Sequence, residues 1–182
     1  MNNRSGFTLI ELIVVIVIIG ILSTLGFTSY EKIQVNSRAN RMAADFQQIQ
    51  LGWKVWKNAH DEIWPDENLY GNSHPDLPCA DEPGISQTPI ILYLENEYND
   101  PWGIEYSYDN DHDTFPTNGM SAGVNIFATW CTGNGDRYIE IAPKIDDSID
   151  NGDGANVGRV RWSTDPNAAG SIIFMIAAAE NQ

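Results

Sequence analysis

From Phe7 to about Phe27 the chain is a run of apolar side chains without proline, interrupted by a single charged residue, Glu11, near its start. A helix needs roughly 20 mostly apolar residues to cross a hydrocarbon core of about 30 Å, and this run has that length. A lone carboxylate inside such a helix costs about 2.5–3.5 kcal/mol, so a positively charged partner must meet it. The constraint is therefore double: the segment needs an apolar environment on all sides, and Glu11 needs a cation within it.

The residues ahead of the run, Met1-Asn2-Asn3-Arg4-Ser5-Gly6, are short and polar with one positive charge. A secretory signal is cleaved after its apolar region, at an A-x-A-like site, and no such site follows here. A cut between Gly6 and Phe7 would instead retain the apolar helix and place a new α-amino group one helical turn from Glu11. The stretch Gly6-Phe7-Thr8-Leu9-Ile10-Glu11 resembles the prepilin signal of the type IV pilin-like superfamily, a short leader ending in glycine followed by Phe-Thr-Leu-Ile-Glu and an apolar helix. The resemblance implies that a prepilin peptidase cuts after Gly6 and methylates Phe7. It also implies that Glu11 pairs with the amino group of a neighbouring subunit during filament assembly. The plain alternative is a single-pass anchor in which the glutamate has no role.

At 182 residues the chain has room for one domain beside its anchor. Its 25 acidic and 10 basic residues give a net charge of -15, which disfavours nucleic acid or anionic lipid as partners of the head and makes calcium a natural counter-ion. Arg4 precedes the apolar run while Lys32, Arg38 and Arg41 follow it, so basic residues do not set its orientation. The resemblance implies a single pass through the bacterial cytoplasmic membrane with the head outside the cytoplasm, and later a periplasmic or cell-surface filament. The two cysteines, Cys79 and Cys131, lack C-x-x-C spacing. In an oxidising compartment they would close a long loop worth about 3–5 kcal/mol; the alternative is two buried thiols.

Past the membrane run the pattern becomes periodic. Val35, Ala39, Met42, Phe46, Ile49, Trp53 and Trp56 step by four and three, the stripe of an amphipathic helix. Without a proline before Pro65, one helix is expected from Phe7 to about Asn58, ended by Trp64-Pro65. The expected organisation is a leader at 1–6, a membrane or filament-core helix at 7–28, an amphipathic helix at 29–60 and a head at 61–182. Residues 65–89 are rich in Pro, Asp, Asn and Gly and read as loop. Alternation at 104–108 and 124–130 indicates half-buried strands, with weaker candidates at 159–162 and 172–177. The run Gly133-Asn134-Gly135-Asp136 reads as a turn joining 124–130 to a strand at 137–141 in a hairpin. A helix followed by short antiparallel strands is an α+β arrangement, with the sheet packed on the helix stripe.

Asp100-Pro101-Trp102-Gly103 resembles a segment of the major pseudopilin of type II secretion systems, and Ile63-Trp64-Pro65 stands where that family has an aromatic-Pro pair. Two acidic clusters are candidate cation sites. Asp109, Asp111 and Asp113 occupy the first, third and fifth positions of an EF-hand-like loop, but Thr114 and Met120 replace its glycine and glutamate. Asp146, Asp147, Asp150 and Asp153 lie among Asn151, Gly152 and Gly154, and the pseudopilin resemblance implies calcium in this C-terminal acidic loop. The bland reading of both is a solvated turn. Gly119-Met120-Ser121-Ala122-Gly123 matches G-x-S-x-G, but that motif needs a helix after the serine and a histidine later in the chain; His60, His74 and His112 all come earlier. The expectation is therefore a non-enzymatic subunit of a pilus-like filament, a type II secretion pseudopilin. Its partners would be identical or related pilin-like subunits, prepilin peptidase and the membrane assembly machinery. A type IV pilus pilin and a membrane-tethered calcium-dependent binding module are the alternatives.

Overall fold

The computed structural model describes residues 7–61, 63, 64, 66, 83–94, 98–110 and 123–178, with backbone alone at 25–28. Helix α1, Leu9–Ala59, runs unbroken for 51 residues, or about 75 Å at 1.5 Å per residue. Glu11 in its first turn and Lys57 in its last both complement the helix dipole. The chain divides into Met1–Asn36 and the compact unit Ser37–Gln182.

In the first unit every large apolar side chain from Phe7 to Leu22 is exposed. A helix apolar on all faces suits lipid or a protein core, and far exceeds the apolar patches that soluble surfaces carry. Among the described residues α1 alone is long and apolar enough to cross a membrane.

In the second unit the expected stripe forms the core. Ala39, Met42, Phe46, Ile49, Trp53 and Trp56 are all buried. Phe46 stacks on Phe174 at 5.5 Å and tilts over Tyr106 at 5.3 Å, while Trp53 stacks on Tyr108 at 4.3 Å. Each such side chain contributes about 1.5–3 kcal/mol by burial alone. Gly52, inside α1, has a packing reason: a Cβ there would meet Leu94 at 3.0 Å and Ile90 at 3.2 Å, so its absence lets the chain after Pro89 approach closely. Of the loop expected at 65–89, residues 65 and 67–82 lie outside the described residues, and two 3-10 turns, Ile85–Gln87 and Pro89–Tyr93, occupy the stretch that follows.

The sheet comprises β1 (Ser107–Asp109), β2 (Gly123–Trp130), β3 (Val160–Trp162) and β4 (Gly170–Ala178), in the order β1-β2-β4-β3 with all pairs antiparallel. Ile126 pairs with Phe174, which faces Phe46, so by strand alternation the neighbouring Phe127–Ile173 pair points to the opposite face. Both faces of β2 are buried along its length, not one as expected. The strand expected at 104–108 is shorter and later, with Glu105 reduced to an isolated bridge to Asn99.

The expected hairpin partner at 137–141 is a correction. These residues belong to helix α2, Gly135–Ile149. Tyr138, Ile141, Ala142 and Ile145 are buried, a helical i, i+3, i+4, i+7 set, and α2 packs on β3 and β4. Gly133, at φ +93°, turns the chain, and Asn134 stands at the N-cap position without a side-chain hydrogen bond to the helix. β2 takes β4 as its partner instead, over Gly123–Trp130, with a bulge at Val124/Asn125. The architecture is nevertheless the α+β arrangement of a long helix on a small antiparallel sheet.

Candidate functional site

Two places bring chemistry together, the start of α1 and the loop after α2. At the first, Thr8 immediately precedes the helix and Glu11 is its third residue. The Glu11 carboxylate accepts from Thr8 N–H at 2.8 Å and from the Thr8 hydroxyl at 2.7 Å, and Thr8 Oγ1 faces the Glu11 N–H at 3.3 Å. This is a capping box, and the signature Thr-x-x-Glu was readable in the sequence. It satisfies helix-end donors but supplies no positive charge; among the described residues Glu11 has no ion pair. Phe7 is exposed, and Gly6 lies outside the described residues.

At the second, α2 ends at Ile149 with no basic residue in its last turn, so its carbonyl end carries uncompensated partial negative charge. Carboxylate oxygens of Asp146, Asp150 and Asp153 converge there within 4.8 Å of one another. Asp146 is buried; its Oδ2 accepts from Gly154 N–H at 2.9 Å, while its Oδ1 is buried with no hydrogen-bond partner. Burial, with Asp153, Asp150 and Asp147 nearby, raises the Asp146 pKa above the usual carboxylate value, although the Gly154 hydrogen bond opposes the shift. Asp150 Oδ2 is held by the backbone N–H groups of Arg159 and Val160. Asn151 and Gly152, at φ +66° and +71°, bend the chain back, and Gly158, at φ +71°, passes directly over the carboxylates. A Cβ on Gly158 would overlap Asp150 Oδ2 and lie 2.6 Å from Asp153 Oδ2. Asp147 is exposed, turns toward Gly152 and does not join the group. Three convergent carboxylates, one orphaned buried oxygen and a helix carbonyl end fit a hard cation with oxygen ligands.

The other candidate residues are dispersed. Asp109 is buried in β1 and accepts from Asn125 Nδ2 at 2.5 Å, while Asp111 and Asp113 lie outside the described residues. Cys131 is disulfide-bonded, and Cys79 lies outside the described residues. Ser121 does as well, but Gly123 already begins a strand where a nucleophile elbow needs a helix. His60 stacks on Trp56 and its Nδ1 is 2.8 Å from the Trp56 carbonyl, an end-of-helix contact.

The segment Asp100-Pro101-Trp102-Gly103, singled out in the sequence by resemblance alone, proves to be a structural centre. Asp100 is buried and its Oδ1 accepts from the N–H groups of Trp102 and Ile104, both at 2.8 Å. Its Oδ2 accepts from the Tyr138 hydroxyl on α2. Pro101 and Gly103 complete a turn closed by Gly103 N–H to Asp100 O at 3.0 Å, and Arg38 of α1 lies over the Trp102 ring at 5.3 Å. The Asp-Pro-Trp-Gly segment thus ties α1 to α2 just ahead of β1.

Residues 1–27 match the family described as the prokaryotic N-terminal methylation motif. The chain is 31% identical over 112 residues to the type II secretion system core protein G of Klebsiella pneumoniae, covering 58% of this chain and 74% of that protein. It is 32% identical over 110 residues to the protein of the same name from Aeromonas hydrophila, covering 58% and 72%. Against the Escherichia coli K12 protein of that name it is 29% identical over 132 residues, covering 67% and 83%. No solved structure matches the chain.

Proposed function

Because this chain belongs to the family of the type II secretion system core protein G, the major pseudopilins, we propose that it is the structural subunit of a helical, pilus-like filament built from the cytoplasmic membrane. Prepilin peptidase cuts between Gly6 and Phe7, and the chain inserts once, with its head outside the cytoplasm. The observation that carries this reading is α1's first half: a helix apolar and exposed on every face, with one carboxylate near its start, inside a matched methylation motif. Lipid satisfies the apolar surface but leaves the charge of Glu11, so the membrane-embedded monomer bears about 2.5–3.5 kcal/mol that a bundle of copies can recover. In the bundle the apolar faces pack on one another, and the Phe7 amine of a neighbouring subunit neutralises Glu11. The work is mechanical; no reaction is assigned to the chain.

In the head, Asp146, Asp150 and Asp153 would hold calcium, compensating the end of α2 and fixing the loop to Gly158. An intramolecular Cys79–Cys131 bridge would tie the segment before Ile85 to the end of β2.

Glu11→Leu tests the filament reading. Membrane insertion should improve and fibre formation should fail, while N-terminal sequencing of the native protein should begin at Phe7. Normal fibres from the variant, or a mature chain beginning at Met1, would count decisively against it.

A further inference from the structure

Resting on the filament reading, we propose that a pocket between α1 and the loop before β3 receives a carboxylate side chain from a second copy of this chain. The pocket, of about 400 Å³, is lined by Gln47, Gln50 and Lys54 of α1 together with Ile149, Arg159 and Phe174. Phe174 is fully buried and forms its apolar floor. The Arg159 guanidinium lies over that ring at 4.8 Å, and its Nε donates to the Met175 carbonyl at 3.2 Å. Its Nη2 is buried and has no hydrogen-bond partner. Nη2 is sealed from solvent, so an acceptor entering the pocket would meet the remainder of the half-buried Arg159 side chain that lines it.

The neighbouring cation sets what that opening would accept. Lys54 is exposed, whereas Arg41 pairs with Asp45 at 3.8 Å. Arg38 is placed over Trp102, Arg41 also donates to the Asn99 carbonyl, and Lys57 lies over Trp64, so these cations are already engaged. Lys54 and Arg159 instead share a pocket with no carboxylate in it. In a chain of 25 acids and 10 bases, a pocket lined by two cations is a local exception to the charge of the whole. Two heads of such charge repel on approach unless a carboxylate of one meets cations of the other. A carboxylate accepts from a guanidinium and an ammonium together, and the Gln47 amide adds a neutral donor, while Gln50 Nε2 already donates to the Ile176 carbonyl at 3.4 Å. The backbone N–H of Arg159 is held by Asp150, so the acidic loop fixes the base from which the guanidinium projects.

Fibres grown from an equal mixture of 14N- and 15N-labelled full-length chain, treated with a zero-length carbodiimide coupling reagent, provide the test. Lys54 should be joined to an Asp or Glu of the other isotope in fibres, at least about tenfold more than in detergent-solubilised monomer. Lys54→Glu should lower fibre yield about tenfold with an unchanged melting temperature in micelles, and Lys54→Arg should stay near wild type. Absence of mixed-isotope coupling, or Lys54→Glu fibres at wild-type yield, would overturn the inference and show that the pocket takes at most a free small anion. Failure of the wild-type chain to form fibres would overturn the filament reading itself, and this inference with it.

Discussion

Gly158→Ala separates the calcium reading from ordinary loop strain, because the two act under different conditions. The residue sits at φ +71°, where an L side chain costs about 1–2 kcal/mol whatever surrounds it. The new Cβ also falls on Asp150 Oδ2 and 2.6 Å from Asp153 Oδ2, so the carboxylates must separate. In chelator only the strain is felt. At a calcium concentration about 100 times the dissociation constant, the wild type gains about 2.7 kcal/mol by linkage, and the variant forfeits that as well. A unit of the size of Ser37–Gln182 shifts by about 3 °C per kcal/mol. Tryptophan-fluorescence melts of the full-length chain in micelles should therefore show a wild-type calcium gain of about 8 °C, nearly abolished in the variant. In chelator the two proteins should differ by only about 3–6 °C. An equal calcium gain in both proteins would place the ion elsewhere, and no gain in the wild type would leave the cluster a solvated turn.

Three further outcomes follow from the core and its polar staples. Phe46→Ala removes a ring stacked between Tyr106 and Phe174 and should cost about 3–5 kcal/mol in chemical denaturation, with the membrane segment unaffected. Asp100→Ala strands the Tyr138 hydroxyl and two backbone N–H groups, and should cost about 2–4 kcal/mol; Asp100→Asn, which keeps an acceptor, should cost less. Burial raises the Asp45 pKa, against the opposing effects of Tyr106 and Arg41. A folded-state pKa above the unfolded value means that ionisation favours the unfolded chain, so this contribution to stability is lost as pH rises through the carboxylate range. Asp45→Asn should therefore gain on the wild type as pH rises through the carboxylate range, with no further change once Asp45 is ionised in both states, as followed by chemical denaturation at several pH values.

The helix stripe was legible because its information is local: one period, sustained over six turns, names the buried residues one by one. Residues 137–141 were not, because Tyr138-Ile139-Glu140-Ile141 is too short a window to separate two periods, and Gly133-Asn134-Gly135 serves a helix start as well as a hairpin. Ala142 and Ile145 carry the discriminating signal, while Pro143, inside α2, argues the other way. β4 gave a weak signal because a strand buried on both faces loses its alternation. In the acidic loop the density of Asp and Gly marked the place, but only the fold separates Asp146, Asp150 and Asp153 from Asp147. Lys54 and Arg159 share nothing in sequence; α1 and the strands bring them together.

The most direct test of the filament reading is the environment of Glu11 in purified fibres, seen by electron cryomicroscopy at side-chain detail. The account predicts that the carboxylate lies within ion-pair distance of the Phe7 amine of a neighbouring copy, buried among apolar helices. A Glu11 still folded onto its own Thr8, with solvent around it and no positive charge in reach, would contradict it.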